Sequence, residues 1–71
     1  MRYIPGTEFA IKKTARDFEK GITYRIHHIS PAKESIEYTF FTNEGKVQMN
    51  FESIETAEAL INKYSDIAER L

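Results

Sequence analysis

Between Ile22 and Phe51 apolar side chains recur at every second position: Ile22, Tyr24 and Ile26, then Ile36, Tyr38 and Phe40, then Val47, Met49 and Phe51, with Arg25, Glu37, Gln48 and Asn50 between them. A period of two marks strands with one buried face. From Ile54 the spacing changes to three and four, through Ala57, Leu60, Ile61, Tyr64, Ile67, Ala68 and Leu71, with Glu55, Glu58, Asn62, Asp66 and Glu69 opposite. This predicts an amphipathic helix over Ile54 to Leu71 whose apolar stripe packs on the sheet.

The remaining elements follow from breaks in these patterns. Pro5-Gly6 is a turn dipeptide, so the first residues are expected to lead into the domain without joining its central sheet. Glu8 to Lys12 reads as a short strand with Phe9 and Ile11 on one face, and Lys13 to Lys20 as a polar loop closed by Gly21, with Phe18 turned inward. In the second strand, Ile22 to Ile29, strict alternation would bury His28 and expose Ile29. A β-bulge at His27-His28 returns Ile29 to the core and bends the strand. Ile36 to Thr42 and Lys46 to Glu52 form a hairpin through Asn43-Glu44-Gly45, with Gly45 in the left-handed position of a three-residue turn. Ser53 is the expected N-cap of the helix.

The order β-β-β-β-α predicts an α+β fold: a small curved antiparallel sheet of four strands followed by one C-terminal helix packed on it. Two arrangements fit, an SH3-like barrel closed at one end by the helix or an open meander. The bulge and the glycines favour the barrel. The whole chain, residues 1–71, forms a single domain, without repeat or low-complexity run.

A chain of 71 residues commits most of its apolar side chains to the core. Its four Tyr and five Phe suit a compact β-rich interior and leave few rings for a pocket. The absence of Cys excludes disulfides and thiolate metal sites, and places the protein in the cytoplasm. No run approaches the roughly 20 apolar residues that span a bilayer, so no membrane contact is expected.

Candidate chemistry is sparse. His27 and His28 are adjacent, and on a regular strand adjacent side chains point to opposite faces. They share no metal ion unless the bulge intervenes, and neither a metal nor a cofactor is expected. The serines and aspartates sit in no nucleophile-elbow, phosphate-loop or metalloprotease pattern, so the chain reads as non-enzymatic.

Binding is the better-motivated function. With Phe40 in the core, Phe41 must face the other side together with Glu37 and Thr39. There it is either covered by the helix or by Tyr3, or it anchors a partner. Phe41, Arg25, His27, Thr39 and Gln48 form the candidate protein-binding patch, since aromatics and Arg dominate binding hot spots. The expected function is that of an accessory or inhibitory module occupying a surface of a protein partner. Nucleic-acid binding is the alternative, through Lys12, Lys13, Arg16, Lys20 and Arg25. Residues 1–33 carry seven Lys/Arg against three Asp/Glu, a balance of +4, whereas residues 34–71 carry three against eight, a balance of -5. The pI near 6.1 and those C-terminal acids argue against a phosphate-binding role. The acidic helix face, through Glu55, Glu58, Asp66 and Glu69, is a second surface for a basic partner. A free edge on the short first strand would allow pairing with a second copy.

Overall fold

The structure, a computed structural model, describes residues 3–65. Its elements are β1 (Glu8–Ala10), β2 (Thr23–Pro31), β3 (Ile36–Thr42), β4 (Gly45–Phe51) and α1 (Ile54–Tyr64). The strands form one antiparallel sheet in the order β1-β2-β3-β4, which is not closed. The strand order is that of a meander, and with its first and last strands not paired to each other it also fits an SH3-like arrangement. Between those two strands runs α1. It begins directly after β4 and ends beside the continuation of β1, where the Lys12 amide donates to the Tyr64 carbonyl at 2.8 Å and Ile11 bridges Ser65.

The alternation sorts side chains as it predicts. Phe9, Tyr24, Ile26, Tyr38, Phe40, Met49 and Phe51 face a core completed by Ala57 and Ile61 of α1 and by Phe18 from the β1–β2 connection. Phe18 is fully buried, edge-on to Tyr24 at 5.1 Å and to Phe40 at 5.5 Å. The Tyr24 hydroxyl accepts from the Glu19 amide at 2.9 Å, which ties that connection to the core.

The bulge lies where the pattern stumbles. Ile26 pairs with Phe40 and His28 with Thr39, leaving His27 as the extra residue; Ile29 then pairs with Tyr38 and packs against the core. At the β3–β4 turn neither Asn43 nor Glu44 has positive φ while Gly45 has φ 119°, so an ordinary turn is followed by a left-handed glycine.

Several features differ from expectation; β2 runs from Thr23 to Pro31, two residues past the expected end at Ile29. The helix ends at Tyr64, and Ser65 is extended, with φ -128° and ψ 177°. The Ser65 hydroxyl donates back to the Ile61 carbonyl, and such local bonds compete with continued helix. The parts of the stripe expected at Ile67, Ala68 and Leu71, and the acids Asp66 and Glu69, lie outside the described residues. β1 is shorter than expected, because Ile11 and Lys12 already meet the end of α1. Before the Pro5-Gly6 turn, Tyr3 is a core residue: its amide donates to Glu58 at 2.8 Å and its hydroxyl to Asn62 at 3.1 Å, both on α1.

Candidate functional site

The face of the sheet turned away from the core is built by the positions that alternate with the buried ones. Register sets four of them in one row across the sheet: Glu8 on β1 pairs with Arg25 on β2, which pairs with Phe41 on β3, which pairs with Lys46 on β4. The neighbouring row is His28, Thr39 and Gln48. Between the rows sits His27, which the bulge turns onto this same face. Its imidazole stacks on Phe41, with centroids 4.2 Å apart and planes 19° from parallel. Arg25 brings its guanidinium carbon to 5.9 Å from the same ring. Phe41 is half-buried by these two side chains, and neither α1 nor Tyr3 supplies the cover, since both pack on the opposite, core-facing side. The exposed large hydrophobic among the described residues is Ile4, 64 % exposed, at the Pro5-Gly6 turn.

The structure therefore brings Phe41, Arg25, His27, Thr39 and Gln48 together. Thr39 is nonetheless buried, at 6 % exposure, because it sits mid-sheet between the larger His28 and Gln48. It supports the patch from below. Sequence reasoning missed Lys46 and His28. Both were derivable: the turn at Asn43-Glu44 sets Lys46 opposite Phe41, and the bulge that rescues Ile29 also moves His28 outward.

Beside the row lies a concave cavity of about 150 Å³, lined by Glu8, Thr23, Arg25, Phe41, Thr42 and Asn43. Ligand pockets commonly occupy roughly 300 to 1,000 Å³. This one has room for a single inserted side chain, with a guanidinium and a carboxylate at its wall. The bulge also puts both imidazoles on one face, yet the described residues contain no group of three or more His, Cys, Asp or Glu that could hold a metal ion.

The basic residues of the alternative site are divided between the β1–β2 connection and β2. Lys12, Lys13, Arg16 and Lys20 belong to the β1–β2 connection, and Arg16 folds back onto the core-facing side. Its guanidinium lies 4.8 Å from the Phe51 ring centroid and donates to the Asn50 carbonyl at 3.1 Å. Arg25 is on the other side of the sheet. On the acidic helix face, Glu58 is already engaged by the Tyr3 amide. No helix among the described residues is long and apolar enough to cross a membrane.

Comparison with protein-family models, with curated proteins and with solved structures finds no match for this chain.

Proposed function

We propose that this protein is a non-enzymatic binding module whose outer sheet face docks onto a protein partner, acting by covering the partner's surface. The observation that supports this reading is the cluster of Phe41 with His27 and Arg25. An aromatic ring on the face away from the core, gripped by an imidazole and a guanidinium, combines residue types that concentrate binding energy. Lys46 extends the cluster to the sheet edge, and the adjoining cavity accepts one side chain of the partner.

The test is capture of a partner from the native host's lysate by the wild type, by Phe41→Ala and by Lys33→Ala, an exposed position away from the cluster. Loss with Phe41→Ala alone, with the fold retained, supports the reading. Equal capture by all three removes it. Nucleic-acid binding through Lys12, Lys13, Arg16, Lys20 and Arg25 predicts instead that an oligonucleotide is retained at low salt and released steeply as salt rises.

A further inference from the structure

The outer face runs without interruption to the free edge of β4, and that edge is where the chain offers unused backbone groups. In an antiparallel ladder, residue pairs that exchange both hydrogen bonds alternate with pairs that exchange none. The Ile26 amide donates to the Thr7 carbonyl and the Ile26 carbonyl accepts from the Gly6 amide, so the pair Ile26–Phe40 is of the second kind. Phe40 therefore exchanges its bonds with Val47, and three positions on Asn50 and its partner Glu37 again form a pair of the second kind. By alternation Gln48 and Lys46 also turn their amides and carbonyls away from β3. Among the described residues no other segment pairs with them. Arg16 closes the edge at Asn50, which leaves Lys46 to Met49 open.

We infer that the β4 edge is a strand-addition site for an extended, acidic peptide segment of the partner. This rests on the protein-binding reading above and specifies how the partner enters. A segment laid beside β4 bonds through its backbone to Lys46 and Gln48, as in strand-addition complexes generally. Paired side chains share a face, so the residue opposite Lys46 lies on the outer face, in line with Phe41 and Arg25. In that row Glu8 on β1 stands opposite Arg25, so the cation that meets the added segment is Lys46 at the edge, and a carboxylate directly opposite it makes a favourable cross-strand pair. The next residue of the segment lies opposite Val47, a half-buried apolar side chain at the margin of the core, and is apolar. Alternation of acidic and apolar residues is thus the recognised chemistry.

The test follows amide hydrogen exchange by NMR with two short capped peptides, one alternating Glu and Val, the other Lys and Val. The Glu/Val peptide is expected to slow exchange at Lys46 and Gln48 by about tenfold, and the Lys/Val peptide to leave it unchanged. Gln48→Pro removes one outward donor at an edge position that tolerates proline and abolishes the protection. Should Gln48→Pro not fold, Lys46→Glu, at an exposed position, reverses the preference between the peptides. The inference is overturned by equal exchange with and without either peptide, by protection that survives both substitutions, or by protection that grows with protein concentration alone, which assigns the edge to a second copy. Partner capture lost in Phe41→Ala but kept in Gln48→Pro sinks the edge site and leaves the outer-face reading standing.

Discussion

Phe40 and Phe41 are neighbours in β3 with opposite surroundings: Phe40 is fully buried among Phe9, Phe18, Tyr24 and Tyr38, whereas Phe41 is half-buried between His27 and Arg25. Truncating a core aromatic to Ala costs about 3 to 5 kcal/mol. A domain of this size has a total stability of roughly 4 to 10 kcal/mol. Phe40→Ala is therefore expected to remove between about a third and all of the total stability. Phe41→Ala loses a surface stack worth about 1 kcal/mol and stays folded. Urea unfolding of the two variants side by side checks the contrast, and similar losses would refute it.

Arg16 has φ 54°, a left-handed conformation that is unfavourable for side chains other than glycine. The contacts to Phe51 and Asn50 hold it there. Arg16→Ala keeps the strain and loses the contacts, whereas Arg16→Gly loses the contacts and the strain together. The glycine variant is expected to be the more stable of the two by about 1 kcal/mol. Comparison of their denaturant midpoints decides it.

Ser53 caps α1 from an extended conformation, its hydroxyl accepting from the Thr56 amide at 3.1 Å. Ser53→Ala is expected to cost about 1 kcal/mol, and Ser53→Asp to restore most of the loss. Thermal melts of the three proteins at neutral pH give the answer.

Burial pushes the Tyr24 hydroxyl above its ordinary value of 10.0, and the Glu19 amide that donates to it offsets only part of the rise. Because the folded form holds the proton more tightly, the stability linked to this group is fully present below the unfolded value and is lost as pH rises through the folded one. Stability should fall above about pH 10. Tyr24→Phe should cost about 1 kcal/mol near neutrality through the lost hydrogen bond, and its deficit should shrink as pH climbs past 10. A deficit independent of pH would refute this assignment.

Local periodicity carried most of the fold. The stumble at His27-His28 located the bulge, and the alternation through Phe40 and Phe41 placed the candidate patch on the outer face. What local pattern does not encode is contact between distant segments. Tyr3 precedes a turn and has no periodic neighbours, so its place against Glu58 and Asn62 was invisible. Arg16 looked like one more member of a basic run, because its partner Asn50 lies 34 residues away. The same holds for barrel against open sheet, which turns on whether the first and last strands meet. The helix end was missed because apolar spacing continues past Tyr64, and Ser65 was the lone local sign of a stop.

The extra residue in β2 makes the chain tolerant of shortening at one place. Removing His27 leaves Ile26 facing in, His28 out and Ile29 in, so the ladder with Phe40, Thr39 and Tyr38 survives as a regular one. Removing Thr39 from the opposite strand exchanges the faces of Phe40 and Phe41 and sends a ring of the interior into water. Of these two strands, the one that already carries a surplus is the one that can lose a residue without exchanging its faces.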